Sequence, residues 1–301
     1  MYKRVAAHLS RHWQKHLMML PCVVLLIIFN YVPMAGIVIG FEDYLPNFGF
    51  FGSQWVGIKW FRFMFGMNNF GQVIRNTLFI SLLKIFTAQA ASILFALLLN
   101  ELRSRKLKNA IQNGAIFPYF VSWVVCAGIL KDIVAQEGII NTLLNGLFGI
   151  QISFLTNPGW FTVLIAVSNI WKDAGYNAII LAAALSAIDP ALYEAAEIDG
   201  ANRLDKMVHV TLPGISRMVA MLVILALGGV MNGGFDQIYN LYNSTVSSTS
   251  EIIDTYVYRM GINAGMYSLG AAVGVFKSVV GAVLLMMSHY MAKKYAGYRI
   301  F

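Results

Sequence analysis

The sequence predicts an all-α, polytopic membrane protein with six transmembrane helices, and three observations carry that prediction. Of 301 residues, 58% are hydrophobic and only 12% are charged, whereas a soluble domain needs about a quarter charged residues. The apolar residues gather in blocks of 18–25 residues, long enough to cross a hydrocarbon core of about 30 Å. Basic residues flank those blocks, as membrane topology requires. A transmembrane β-barrel would instead show short alternating segments. Residues 1–301 read as a single transmembrane domain.

Six spans follow in order, at about 17–41, 76–100, 110–132, 160–186, 214–232 and 268–292. The first is preceded by Lys3, Arg4, Arg11 and Lys15, like a signal peptide, but no small-x-small cleavage site follows, so it reads as an uncleaved span. It should kink near Pro33, whose ring removes a helical hydrogen bond. The third contains Pro118, with Ser122 near enough to help satisfy freed backbone groups. Residues 42–75 are rich in aromatics, which suits an interfacial belt or a helix lying on the membrane surface. A short helix is expected within 137–159, and 233–265 reads as a polar outer loop.

Orientation comes from lysine and arginine. With the N-terminus inside, fourteen fall on the inner side, at 3, 4, 11, 15, 103, 105, 106, 108, 203, 206, 217, 293, 294 and 299. Four fall outside: Lys59, Arg62, Arg75 and Arg259. Lys84, Lys131, Lys172 and Lys277 lie within or at the edge of spans. This bias places both termini in the cytoplasm. The net charge of +8 is thereby used up in topology, which argues against nucleic acid as a partner. Cys22 and Cys126 both sit in apolar segments and indicate neither a disulfide framework nor a metal site.

The largest inner loop, 189–213, carries the clearest local chemistry. Asp189 is a good N-cap and Pro190 a good first helical residue. Helix formers run to Asp199, and Gly200 can take the left-handed conformation that ends a helix. A second short helix is expected from about Asn202 to Thr211, stopped by Pro213. Leu192, Ala195 and Ala196 share a face, and Glu194, Glu197 and Asp199 surround it with negative charge. A loop lying on the bilayer would normally be basic. An acidic elbow with an alanine face suits docking into a groove on another protein.

This loop resembles the coupling motif of binding-protein-dependent ABC importer permeases: Glu-Ala-Ala, three residues, Gly, nine residues, Ile, one residue, Leu-Pro. Glu194, Ala195, Ala196, Gly200, Val210, Leu212 and Pro213 match at every spacing, with Val210 in place of Ile. Asp199-Gly200-Ala201 extends the match as in sugar permeases. Ile170–Tyr176, Leu185–Pro190, Phe235–Asn240 and Ile253–Tyr256 are similar to the branch that handles complex oligosaccharides. The likeness runs from about residue 17 to 301. It implies a type I ABC importer permease fold in the bacterial cytoplasmic membrane, and a chain that is not itself an enzyme. It also implies a second homologous permease as heterodimer partner, two cytoplasmic ATPases carrying ATP and Mg²⁺, and an extracytoplasmic solute-binding protein. Glu194, Ala195, Ala196, Asp199, Gly200, Ala201, Val210, Leu212 and Pro213 are then the ATPase-coupling residues. The extra N-terminal spans and large external domain of the maltose permease are absent, so cargo cannot be transferred from that relative.

A saccharide needs stacking rings and planar hydrogen-bonding groups in a wet cavity. Span four offers Asn169, Trp171, Lys172, Asp173, Tyr176 and Asn177. Lys172 and Asp173 lie near mid-span, where an unpaired charge costs roughly 2.5–3.5 kcal/mol, so they must face protein or water. A structural pairing of the two, or with a partner permease, stays open. Asn232, Asp236, Gln237 and Asn240, with Tyr239, could touch cargo or a docked binding protein, or simply cap a helix end. Lys84 and Lys277 read as snorkelling or packing residues, and His209 as structural. His8, His12 and His16 share a helical face and could clip a metal. An integral-membrane enzyme is the rival class, but no catalytic constellation or phosphate-binding loop supports it. A permease for an amino acid, polyamine or other non-sugar solute is the second rival.

Overall fold

The computed structural model of the chain describes residues 13–291. In the suggested clip, His8, His12 and the side chain of His16 lie outside what is described, as do the basic residues beyond either end. Four helices are each long and apolar enough to cross a membrane: Trp13–Phe41, Phe70–Glu101, Arg203–Gly228 and Tyr267–Met291. Two sharply bent pairs pass the same test together: Arg105–Phe120 with Trp123–Phe148, bent by 104°, and Pro158–Ser186 with Pro190–Ile198, bent by 70°. Counting each pair as one gives the six spans expected from hydropathy.

Two of the three prolines singled out in the sequence, Pro33 and Pro213, act in one form. A π-helical turn, Ile27–Tyr31, ends just before Pro33, and another, Met207–Thr211, ends just before Pro213. In each, the residue preceding proline donates its N–H five residues back, Val32 to Ile27 and Leu212 to Met207. The wider turn relieves the clash between the proline ring and the carbonyl four residues earlier. Pro213 therefore does not stop the short helix before it, as the sequence suggests. The helix passes through the π turn into Leu212–Gly228, and Arg203–Gly228 forms one span.

The chain forms two compact units. The first comprises residues up to Gly66 and Met260–Val275. Glu42–Asp43 pairs antiparallel with Gln54–Trp55, and Gly40 lies so close to the backbone of Ala272 that a Cβ there would come within 3.2 Å of its nitrogen. Asp43 accepts hydrogen bonds from Lys59 Nζ at 2.5 Å and Trp60 Nε1 at 2.9 Å. This holds the amphipathic helix Lys59–Gly66 in the aromatic segment.

The second unit comprises Met67–Arg259 and the residues from Phe276 onward. Spans two and four pack along each other, and Arg105–Phe120 packs on span four. Two apolar clusters lie in its core among the described residues. One gathers Ile80, Ala127, Phe161, Ile165, Ile238, Leu241, Val246 and Ile252. The other gathers Ala96, Leu97, Ala178, Leu181, Leu185 and Ile215, with Ile188, Met207 and Leu212 packed against it. Residues 233–259 are not the loose polar loop their composition suggests. The short helix Phe235–Leu241 gives Ile238 and Leu241 to the first cluster, Val246 and Ile252 join it further on, and Ile253–Val257 follows as a second short helix. Their polar neighbours pin them to spans two and four: Asn76 Nδ2 donates to Ser248 O at 3.0 Å, Ile253 N to Thr77 Oγ1 at 2.9 Å, and Gln237 Nε2 to Ile165 O at 2.8 Å.

Gly175 is where span four meets Arg105–Phe120 most closely. A Cβ added there would lie 2.1 Å from Ala115 O, so the two backbones touch, as small residues permit in membrane bundles. Gly175→Val is expected to cost roughly 1–3 kcal/mol through overpacking, read as a lower thermal midpoint of the purified, detergent-solubilised protein. An unchanged midpoint would show that the contact can relax at no cost.

Candidate functional site

Two regions carry the residues singled out from sequence. The first is the elbow between spans four and five. Asp189 Oδ1 accepts from Ala191 N at 2.9 Å and starts the helix Pro190–Ile198. Gly200 ends it with φ +78°. Ala201 N donates to Ala196 O at 2.9 Å and Gly200 N to Glu197 O at 3.1 Å, the paired bonds of a Schellman cap. Asn202 opens the next turn with a capping box, its Oδ1 accepting from Leu204 N and Asp205 N while Asp205 Oδ2 accepts from Asn202 N.

Side chains brace this elbow from both ends. Lys206 Nζ reaches Glu197 Oε1 at 2.5 Å across the glycine, and Tyr193 Oη meets Thr211 Oγ1 at 3.1 Å. The hydrogen bond from Lys206, with its charge, holds the Glu197 carboxyl below its ordinary range. The outward surface is then left open. Glu194, Ala195, Asp199, Gly200 and Pro213 are exposed, and Ala196, Ala201, Val210 and Leu212 are half-buried. Leu192, Leu204 and Val208 are exposed, and Ile198 is 87% exposed. The elbow is thus rigid, with an acidic and apolar outer surface uncovered by its own chain.

The second region is a polar cavity of about 280 Å³ among spans two, four and five. It brings together Asn169, Asp173, Asn177 and Asn232 of the sequence candidates. It adds Ser81, Lys84 and Gln89 from span two, which sequence reading left aside. Their signal was present as polar residues on one face of an apolar helix, but Lys84 alone looked like a snorkelling residue. Instead its ammonium points inward and donates to Gly233 O at 3.4 Å. Lys277 does find a structural partner, Asp254 Oδ1 at 2.5 Å.

The remaining candidates do not line this cavity. Trp171 lines an apolar groove with Leu94, Leu98 and Gly114, and Tyr176 stacks on Tyr119 with centroids 4.2 Å apart. Gln237 is fully buried against span four, bonded also to Ser168 Oγ at 3.0 Å. Asn240 Nδ2 donates to Asp236 O at 2.7 Å within its own helix, and Asp236 is exposed. Lys172 does not pair with Asp173. Its ammonium donates to Pro118 O and Tyr119 O at 3.0 Å each and to Val121 O, and lies 5.5 Å from the Trp123 ring centroid. It caps the carbonyls freed where the third span breaks.

With this geometry in hand, comparison with known proteins is informative. Residues 92–296 match the family model described as binding-protein-dependent transport system inner membrane component. The chain is 42% identical to Protein LplB of Bacillus subtilis (strain 168), covering 96% of this chain and 91% of the relative. It is also 42% identical to the polygalacturonan/rhamnogalacturonan transport system permease protein YteP of the same organism, covering 97% and 92%. Among solved structures it superposes on a chain of a bacterial alginate ABC transporter in complex with an alginate pentasaccharide-bound periplasmic protein. The TM-score is 0.89 and the identity 33%, over 99% of this chain and 100% of that one.

Two expectations follow from the geometry. Lys172→Met keeps the length but takes the ammonium from the carbonyls of Tyr119 and Val121, while Pro118 O keeps the N–H of Val121, at roughly 1–3 kcal/mol for each carbonyl stranded. The thermal midpoint of the purified protein should fall clearly, and a wild-type midpoint would remove the capping role. At the elbow, the Glu197–Lys206 pair is fully formed above the ordinary carboxylate range and lost as pH falls through the lowered value. Lys206→Ala should raise the Glu197 titration midpoint toward that range, measured by carboxyl NMR.

Proposed function

The chain belongs to the family of binding-protein-dependent transport system inner membrane components, and from that premise we propose that it is the permease of an ATP-driven importer whose cargo is an oligosaccharide. The elbow is the observation that carries the ATP-driven part. A Schellman cap, a capping box and two side-chain braces hold its two short helices together. Braced in this way, it transmits a push instead of absorbing it. Its exposed acidic and apolar surface suits a groove on an ATPase subunit. Glu194 meets basic or polar groups there, Ala195, Ala196 and Gly200 allow close approach, and Val210, Leu212 and Pro213 join the elbow to span five.

The partners in this reading are two cytoplasmic ATPases that hold ATP and Mg²⁺, a second permease and an extracytoplasmic binding protein. The basic bias puts both termini and the elbow in the cytoplasm. ATPase closure moves the elbow as a rigid body, and spans four and five rock with it. Cargo passes the cavity lined by Asn169, Asp173, Asn177 and Asn232 with Ser81, Lys84 and Gln89. The cargo class is supported by relatives named for alginate and for polygalacturonan or rhamnogalacturonan, and by the cavity's own content of amides, hydroxyl and charge. Its lining holds no aromatic ring, so any stacking surface has to come from elsewhere in the assembly.

Glu194→Lys reverses the charge offered to the ATPase, and Gly200→Pro forbids the positive φ of the cap. Each is expected to abolish most saccharide uptake and to uncouple the ATPase from the loaded binding protein. The check is uptake and binding-protein-stimulated ATP hydrolysis by the complete transporter in proteoliposomes. Normal values of both in both variants would overturn the coupling role.

A further inference from the structure

We infer that the polar cavity takes the carboxylate of an acidic saccharide, with Lys84 as the cation that receives it. This rests on the cavity being the cargo path. The observation behind it is a surplus of buried donors. Lys84 carries three N–H groups and has one acceptor in reach, the Gly233 carbonyl at 3.4 Å. Ser81 Oγ and Gln89 Nε2, on the same lining, are buried without any hydrogen-bond partner. Buried polar groups are normally paired, and a charged group within a membrane span marks a pathway unless a structural partner satisfies it. Two lysines deep within other described spans have one: Lys172 has its carbonyls and Lys277 has Asp254.

Asp173 lines the same cavity, yet among the described residues no ion pair joins it to Lys84. The cavity is therefore polarised, with a cation and two donors on span two facing, beyond ion-pair distance, a carboxylate on span four. A neutral saccharide can donate hydroxyls to Asp173, but offers the ammonium only weak acceptors. A sugar acid supplies both: hydroxyls for Asp173 and two charged oxygens for Lys84, Ser81 and Gln89. Charge-assisted hydrogen bonds of this kind are about twice as strong as neutral ones. Gly234, whose positive φ of +87° itself calls for glycine, lies beside the ammonium: a Cβ there would stand 2.3 Å from Lys84 Nζ.

The test uses the complete transporter with its own partners in proteoliposomes. Uptake of a short oligogalacturonate, its methyl ester and a length-matched neutral galacto-oligosaccharide is compared for wild type, Lys84→Gln, Lys84→Arg and Asn177→Ala. Each variant is compared with wild type on the same cargo, so the binding protein's own selectivity cancels. Lys84→Gln is expected to lower oligogalacturonate uptake by about tenfold or more, to leave uptake of the ester and the neutral sugar within about twofold, and to be rescued in large part by Lys84→Arg. Equal loss on charged and neutral cargo, no loss on the charged one, or preferred transport of the neutral sugar would overturn the inference. The cargo-path reading fails separately if Asn177→Ala and Lys84→Gln both leave uptake of every saccharide unchanged.

Discussion

Breaking a helix inside a bilayer strands backbone carbonyls where no water can reach them, and the second unit is organised around how one such break is satisfied. The third span snaps through 104° after Phe120. Lys172, from the middle of span four, delivers its ammonium to the carbonyls of Pro118, Tyr119 and Val121. In hydrocarbon each stranded carbonyl would cost several kcal/mol. A cation with three donors meets that demand and is itself neutralised in effect by three acceptor dipoles. The close approach of Gly175 to Ala115 belongs to the same arrangement. It brings the two helices near enough for a lysine stem to span the gap.

Prolines are handled by a second device. Twice the backbone widens into a π turn before a proline, at Ile27–Tyr31 and at Met207–Thr211. The helix absorbs the missing donor without ending. At Pro213 the second half of the elbow and span five thereby become one continuous element, Arg203–Gly228.

Several features were legible in the sequence because they depend on neighbours a few residues apart. Asp189, Gly200 and Asn202 announce their caps from side-chain type and spacing alone. Hydropathy marks six spans because the bilayer imposes the same demand on each. Lys172 and Asp173 were marked as needing partners, which follows from the cost of an unpaired charge at depth. Their partners were not legible. Lys172 turns to a helix more than fifty residues away in sequence, while Asp173 turns to the cavity. Trp171 and Tyr176 look like sugar platforms by residue type, yet fall on faces of the same helix that the cavity does not use. The segment 233–259 looks like a loop because its polar residues are many, although they serve to bind it to spans two and four.

Sequence by itself thus determined the membrane class, the spans, the elbow with its caps, and the family likeness. Each is set by local covalent chemistry or by a solvent that acts on every segment alike. Only the tertiary structure decided which polar residues meet. It joined Ser81, Lys84 and Gln89 of span two to Asn169, Asp173 and Asn177 of span four, and it withdrew Lys172 and Gln237 into structural duty. The physical reason is that a residue's role in a bundle depends on the rotation of its helix against another. That rotation is set by packing at contacts such as Gly175 against Ala115, and no stretch of chain carries it alone.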